Sequence, residues 1–186
     1  GVVVQAGAQA YLTNVQIKDS KYNGIRVMSG GNVRLFHNIP NTKVVDTTTG
    51  NGIVAEQAEI GVGSSISVKA PQAIVVQAGG SFAQTVAQTP NRVSANGNVT
   101  LYSGSQLHAQ ELVMSGNLYA QQAKVTTAYL EVTGNTSLHD SASLFTNALK
   151  LEGQTFLQSS ALSVSNNSDI TGKIQVARHS SLILKR

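Results

Sequence analysis

Residues 97–115 read GNVTLYSGSQLHAQELVMS, and the rest of the chain follows the same plan: GNLYAQQAKVTTAYLEVT (116–133), GNTSLHDSASLFTNALKLE (134–152), GQTFLQSSALSVSNNSDIT (153–171) and GKIQVARHSSLILKR (172–186). Each segment opens with a glycine, and these glycines recur at a nearly constant interval: Gly97, Gly116, Gly134, Gly153 and Gly172. A fixed period of this length is typical of repeat proteins, in which each unit stacks on its neighbours. The period therefore predicts a solenoid for residues 97–186.

Within each segment, small or aliphatic residues tend to alternate with polar ones in three short stretches. Such alternation with a period of two indicates strands that each bury one face. The pairs expected to point inward are Val99 and Leu101, Leu118 and Ala120, Thr136 and Leu138, Thr155 and Leu157, and Ile174 and Val176 in the first strand; Ser105 and Leu107, Ala123 and Val125, Ala142 and Leu144, Ala161 and Ser163, and Ser180 and Leu182 in the second; and Leu112 and Met114, Leu130 and Val132, Leu149 and Leu151, and Ser168 and Ile170 in the third.

Three such strands per repeat predict an all-β fold, a right-handed parallel β-helix (β-solenoid) with three short strands per coil. One coil has too little inner surface to be stable alone, but stacked coils join their inner faces into one apolar column. The recurring glycine suits a corner that needs positive φ or a close backbone approach. The alternative is a β-sandwich, which would require hairpin turns and has no reason to keep a fixed register.

Residues 1–96 show a looser version of the same pattern. The stretches GVVVQAG (1–7), GIRVMSG (24–30), GIVAEQ (52–57) and AIVVQAGG (73–80) resemble one strand repeated at uneven intervals, all of them longer than the intervals after Gly97. We expect loops at 36–50 and 83–96, which contain Pro40 and Pro90, because proline does not suit central strands. The whole chain, 1–186, is thus predicted to be a single β-helix domain of about nine coils.

The composition restricts the classes of function. The absence of Cys excludes disulfides and thiolate metal sites, and it suits a cytosolic protein or an exported one. The net charge is +4, but the basic residues are scattered, so we expect no nucleic-acid partner. No run of eighteen apolar residues indicates a membrane-spanning segment. The chain begins at Gly1 without Met, which suggests a processed product or an excised piece.

Two sets of segments resemble known families. NGIRVMSGGNVRLFHN (23–38) and GVVVQAGAQAYLTNVQI (1–17) resemble coils of the pectin-lyase-like right-handed β-helices. The repeats of 97–186 are similar to the nineteen-residue coils of bacterial surface proteins, namely autotransporter passengers and filamentous-haemagglutinin-like exoproteins. This resemblance implies an extracellular location at a bacterial cell surface, a role in adhesion and virulence, and no catalysis. The regular coils also resemble bactofilins, which are β-helices that polymerise end to end.

The acidic residues are the candidates for a catalytic or metal site. A β-helix lyase or hydrolase needs two or three carboxylates on one face of neighbouring coils, and only Glu56 and Glu59 are close in sequence. Glu111, Glu131 and Glu152 are about one coil apart, but their offsets from the coil glycine drift. The four histidines share no register. We therefore expect no catalytic residues, no metal and no cofactor, and a polysaccharide-active enzyme remains the alternative.

A ligand or self-association surface is the remaining possibility. Tyr102 and Tyr119 follow their glycines by five and three residues, whereas inward positions have even offsets, so both rings are expected to point outward. With Glu111, Glu131 and Glu152 they form the candidate surface. The predicted function is a structural and adhesive module whose partners are host glycans, surface proteins or other copies of the chain.

Overall fold

The structure is a computed structural model that describes residues 1–85 and 91–185. It contains the strands β1 Val2–Val4, β2 Gln9–Thr13, β3 Ile17–Lys18, β4 Asn23–Met28, β5 Asn32–Phe36, β6 Val45–Asp46, β7 Asn51–Glu56, β8 Glu59–Val62, β9 Ile66–Gln77, β10 Ser81–Gln84, β11 Arg92–Tyr102, β12 Gln106–Met114, β13 Leu118–Gln121, β14 Lys124–Val132, β15 Thr136–His139, β16 Ser143–Leu151, β17 Thr155–Gln158, β18 Ala161–Ile170, β19 Ile174–Val176 and β20 Ser181–Leu184. These residues include no helix, and hence none that could cross a membrane.

All strand pairings are parallel, and they form three ladders that run along one axis. The first ladder stacks β1, β4, β7, the second halves of β9 and β11, and then β13, β15, β17 and β19. The second ladder stacks β2, β5, β8, β10, the first halves of β12, β14, β16 and β18, and β20. The third ladder stacks β3, β6, the first halves of β9 and β11, and the second halves of β12, β14, β16 and β18.

This arrangement is a β-solenoid of about nine turns, which confirms the predicted fold class. Parallel strands cannot be joined by hairpins, and here the other two sides of each coil make the connection. The sandwich alternative is excluded by the parallel pairing. The right-handed sense stays a prediction, supported by the general preference for right-handed crossovers between parallel strands.

Coil lengths follow from the register of the first ladder. Val2 lies opposite Ile25, Ile25 opposite Ile53, and Ile53 opposite Ile74, so the first coils differ in length and the second of them is the longest. From Val99 onward, the partners follow one another at the same nearly constant interval as the repeat glycines. The change near residue 97 therefore reflects shorter corners, while the ladder itself continues from β9 through β11 to β13.

The core is a single column of aliphatic side chains inside the coils. Leu101, Leu138 and Leu157 are fully buried at equivalent places of the first ladder, and Phe82 is buried on the second. Burial of this kind contributes about 25 cal/mol for each Å² of apolar surface removed from water. At the last coil, Val176 is 46% exposed, because no further coil of the described chain covers it.

The predicted inward positions face the column except in the second strand of the fourth regular coil. Ala161 and Ser163 were expected to point inward, but Ser160, Leu162 and Val164 are the buried residues. The corner before β18 is one residue shorter than in the preceding coil, so Leu162, not Ser163, lies opposite Leu144. An irregularity between Thr146 and Ala148 restores the register one corner later. A one-residue shift reverses which face a side chain occupies.

Two corners repeat along the regular coils for different reasons. At the glycine corner, a Cβ on Gly116, Gly134 or Gly153 would overlap backbone atoms of the glycine one coil before. Close approach is thus the requirement there, and of the five repeat glycines (97, 116, 134, 153 and 172) only Gly97 has a positive φ. The next corner uses left-handed backbone at residues other than glycine: Ser103, Gln122, Asp140 and Ser159, with φ of 48° to 51°.

The expected loops are shorter than predicted. Phe36 belongs to β5, and β6 divides the stretch 36–50 into the segments 37–44 and 47–50. The stretch 83–96 begins in β10 and ends in β11, which leaves 85–91 as the connection. Residues 86–90 of this connection, which include Pro90, lie outside the described residues. Arg186 at the end of the chain also lies outside them.

Candidate functional site

The outer side of the first ladder carries a group of aromatic and amide side chains over four successive coils. We call it the aromatic–amide face and define it by Thr100, Tyr102, Tyr119, Gln121, Ser137, His139, Phe156 and Gln158. Strand alternation places these residues outward, because their neighbours Leu101, Ala120, Leu138 and Leu157 fill the core. Both predicted tyrosines therefore belong to one surface.

The four rings of this face form a continuous zigzag along the axis. The ring centroids are 5.5 Å apart for Tyr102 and Tyr119, 5.3 Å for Tyr119 and His139, and 5.5 Å for His139 and Phe156. These distances are within the range of about 4.5–7 Å that aromatic pairs favour, and the ring planes are tilted by 51°, 31° and 47°. Each step climbs one coil, so the spacing of the rings is close to the strand spacing.

The zigzag follows from two parallel columns of the ladder. Tyr102 shares a column with Gln121 and His139, whereas Tyr119 shares the adjacent column with Ser137 and Phe156. Aromatic and polar residues thus alternate within each column, and the rings meet diagonally between columns. Diagonal neighbours are within reach of aromatic side chains.

Side-chain hydrogen bonds with amide and carboxyl groups orient two of the four rings, those of Tyr119 and His139. The Tyr119 hydroxyl donates to Gln121 Oε1 at 3.2 Å, and Gln121 Nε2 donates to Asp140 Oδ2 at 2.6 Å. His139 Nδ1 lies 3.3 Å from Gln158 Oε1. Partial burial raises the pKa of Tyr119, and the nearby Tyr102 and Asp140 raise it further. Tyr119 therefore remains a neutral hydrogen-bond donor around neutral pH.

A ladder of asparagines borders this face at the glycine corner. Asn98 Oδ1 accepts a hydrogen bond from the backbone N–H of Asn117 at 2.9 Å, and Asn117 Oδ1 accepts one from Asn135 at 2.8 Å. Asn135 Oδ1 in turn accepts from Gln154 at 2.9 Å. Stacked amides of this kind satisfy backbone donors that the corner would leave unpaired.

Between the asparagine ladder and the tyrosines lies a groove of about 330 Å³. It is lined by Gln72, Asn98, Thr100, Tyr102, Asn117, Leu118, Tyr119, Asn135 and Ser137. The lining offers hydroxyl and amide groups beside two phenol rings. Neither these lining residues nor the eight residues that define the aromatic–amide face include Lys, Arg, Asp or Glu.

Glu111 and Glu131 lie on the outer side of the third ladder, and Glu152 directly follows the last residue of β16, so none of the three belongs to the aromatic–amide face. Glu111 lies opposite Arg92 and Tyr129, whereas Glu131 lies opposite Val113 and Lys150, so the three acids do not form one column. The candidate surface proposed from the sequence is therefore split between two faces of the solenoid.

Each of these acids contacts a cation. Glu111 binds Arg92 Nε at 3.0 Å, and Lys150 Nζ binds both Glu131 and Glu152 at 2.9 Å. The Lys150 hydrogen bond, together with one from the Tyr129 hydroxyl, lowers the pKa of Glu131. Burial and the neighbouring Glu131 raise the pKa of Tyr129. The Arg92–Glu111 and Lys150–Glu131 contacts link neighbouring coils, whereas Lys150 and Glu152 belong to the same coil.

Glu56 and Glu59, the acids of the enzyme alternative, are also engaged separately. Glu56 binds Arg26 at 2.8 Å and accepts from Gln77 at 2.8 Å, while Glu59 accepts from Asn32 at 3.0 Å. The left-handed Gln57 stands between them and turns the chain from the first ladder to the second. In the part of the chain that the structure describes, no group of three or more His, Asp or Glu could hold a metal ion.

A wider groove of about 760 Å³ lies beside the segment 37–44. Its lining includes Ile39, Lys43, Ser65 and Arg92. Lys43 is bound to Asp46 at 2.8 Å and Arg92 to Glu111, so both cations of the lining are neutralised by acids. Beneath it, His37 is buried with Nε2 2.7 Å from Thr42 Oγ1.

Sequence reasoning found two of the four rings of the aromatic–amide face and missed the other two, His139 and Phe156. Tyr102 and His139 each follow their coil glycine by five residues, and Tyr119 and Phe156 each follow theirs by three. The distance in sequence from the coil glycine to the ring thus alternates between five and three residues over successive coils. This alternation is the signal that would have found all four rings of the zigzag.

Comparisons with known proteins returned no relative. No family model matches the sequence, and neither a curated protein nor a solved structure matches the chain. The parallel ladders therefore define the protein as a β-solenoid.

Proposed function

We propose that this chain is a structural and adhesive module of a bacterial extracellular surface protein. It acts through its shape: a rigid solenoid holds an outer face in a fixed position, where that face attaches to a partner or to another copy. The partners are host glycans or surface proteins. No chemical step is involved.

The observation that carries this proposal is the aromatic–amide face on the outside of a packed solenoid. At about 4.8 Å per coil, nine coils form a rod roughly 40 Å long. Tyr102 remains 37% exposed, although the column beneath it is fully packed. A face that repeats along a rigid rod can make many contacts without a large ordering cost.

Two further features support an extracellular location. The chain contains no Cys, so it can cross an oxidising compartment without forming wrong disulfides. Its regular coils also resemble those of autotransporter passengers and filamentous-haemagglutinin-like exoproteins.

The polysaccharide-active alternative needs carboxylates that share one groove, whereas Glu56 and Glu59 are engaged with separate partners. We therefore do not favour it.

The test is to display the chain on a bacterium that does not aggregate and does not adhere. Displayed wild-type chain should increase aggregation or attachment to host cells, as measured by sedimentation of the culture and by counts of attached bacteria. Changing Tyr102→Ser together with Tyr119→Ser should reduce the effect. The matched control is Tyr22→Ser, because Tyr22 is 80% exposed and lies between strands, outside the aromatic–amide face. Equal adhesion with and without the chain would refute the proposal.

A further inference from the structure

The geometry points to a specific ligand class: the aromatic–amide face binds a neutral, linear glycan that lies parallel to the solenoid axis, with Tyr102 and Tyr119 as its stacking platforms. This inference rests on the proposed adhesive function and names the partner that the face would recognise. It concerns the groove of about 330 Å³ and the rings beside it.

The chemistry of the face matches that of a sugar ring. The face of an aromatic ring carries partial negative charge, and the C–H bonds on one side of a pyranose carry the complementary positive charge. The sugar hydroxyls need donors and acceptors, and Asn117, Ser137 and Thr100 line the groove with both. Ring stacking and hydroxyl recognition are thus available at the same place.

The charges select among glycans. Phosphate, sulfate or uronate groups would call for Lys or Arg, and the residues that line the groove include none. Asp140, which accepts from Gln121 at the edge of the face, would repel an anion. The ligand that fits is therefore an uncharged glycan. The same argument disfavours a single-stranded nucleic acid, which also stacks on aromatic rings but needs a cationic track for its backbone.

The spacing of the rings sets the direction of the chain. Neighbouring rings are 5.3–5.5 Å apart and each lies one coil higher than the last. One such step is similar to the length of one sugar unit in an extended glycan. A linear chain along the axis can therefore present successive units to successive coils, whereas a chain across the face would leave it after one strand.

The size of the groove favours a glycan over a second copy of the chain. A stable protein interface buries about 800 Å² on each partner, with apolar groups at its centre. On the aromatic–amide face, Tyr102 is the one large hydrophobic residue that is more than about a third exposed. The groove is at the small end of the range for small-molecule sites, which suits a few sugar rings.

The experiment measures binding of neutral and acidic oligosaccharides to the purified chain by isothermal titration calorimetry. The probes are cellohexaose, laminarihexaose and mannohexaose as neutral chains, and hexagalacturonate as the acidic one. We expect binding of at least one neutral probe, no binding of the acidic probe, and an affinity that does not change with salt concentration.

Tyr119→Ser should weaken neutral binding by about tenfold, which corresponds to ~1.4 kcal/mol, because Tyr119 is one of the two phenol rings that line the groove. Phe145→Ser is the matched control. Phe145 is 44% exposed on the second ladder, and its loss should leave binding unchanged. Unchanged urea midpoints would show that both variants keep the fold.

Several results would overturn the inference: no binding of any neutral probe, preference for the acidic probe, equal losses in the two variants, or a dimer in sedimentation velocity that Tyr119→Ser abolishes. The last outcome would identify a second copy as the occupant. Adhesion of displayed chain without glycan binding would refute the glycan and leave the adhesive function standing. Glycan binding without adhesion would refute the function and leave the glycan site standing.

Discussion

Replacing Thr136 by Val should make the protein more stable, although it removes a hydroxyl group. Thr136 is 1% exposed and points into the apolar column, between Leu118 of the preceding coil and Thr155 of the next. Its Oγ1 is buried and has no hydrogen-bond partner among the described residues. Val has nearly the same shape, so the substitution changes the polarity of the site with little change in packing.

The magnitude follows from two contributions of the same sign. An unpaired buried hydroxyl costs about 1–3 kcal/mol, and the methyl group that replaces it adds up to ~0.8 kcal/mol of burial. The lower ends of these two contributions give a net gain of about 1 kcal/mol. With a urea m-value of about 2 kcal/mol/M, the unfolding midpoint should rise by about 0.5 M at unchanged slope.

The matched control is Thr146→Val. Thr146 is also buried, but its hydroxyl donates to the Ala148 carbonyl at 2.8 Å, so the same substitution should lower stability by about 1 kcal/mol. The two variants are compared by urea denaturation followed by circular dichroism. A fall in the midpoint for Thr136→Val would mean that its hydroxyl has a partner, such as a buried water, and the reasoning would be wrong.

Three further predictions test the column, the asparagine ladder and the ionic contacts. Leu138→Ala should lower the free energy of unfolding by about 2–5 kcal/mol, because the fully buried side chain would leave a cavity; a thermal or urea midpoint near that of the wild type would contradict this. Asn117→Ala should cost about 1 kcal/mol, since the backbone N–H of Asn135 loses its acceptor; Asn166→Ala, at an exposed position, should be neutral in the same urea titration. Glu131→Gln should be less stable than the wild type at neutral pH, because the hydrogen bonds from Lys150 and Tyr129 lower the pKa of Glu131 in the folded state. Because the pKa is lowered, the stability that the Glu131 carboxylate contributes is present above the usual carboxyl pKa and is lost as the pH falls through the lowered value. The urea midpoints of the wild type and of Glu131→Gln should therefore converge in acid. A difference between them that stays constant with pH would argue against the contact of Glu131 with Lys150 and Tyr129.

The regular coils show where pattern reading succeeds and where it fails. Leu101, Leu138 and Leu157 were predicted to stack, and they do, because a fixed repeat leaves one parallel register that buries all of them. Ala161 and Ser163 were placed inward wrongly, because counting from the glycine assumes that every corner has the same length. A corner that is one residue shorter still joins the two strands. In the strand that follows it, however, the residues expected to point inward point outward.

The candidate site was likewise predictable from the sequence only in part. Outward positions for Tyr102 and Tyr119 followed from their odd offsets, and in the structure their rings lie side by side on one face. The partners of Tyr119, namely Gln121, Asp140 and the ring of His139, depend on how adjacent coils align. The pairing of Lys150 with Glu131 likewise crosses coils.

The amino-acid sequence alone determined the class of fold, the period of the coils and most of the inward positions, because those follow from local alternation and from the need to bury aliphatic side chains together. Only the tertiary structure decided which outer side chains meet. Contacts between coils join residues that are a whole coil apart in sequence, and they depend on the length of each corner, on diagonal as well as direct neighbours, and on close approaches such as that between Gly134 and Gly116. Surface side chains carry no burial signal that would reveal those distances in advance.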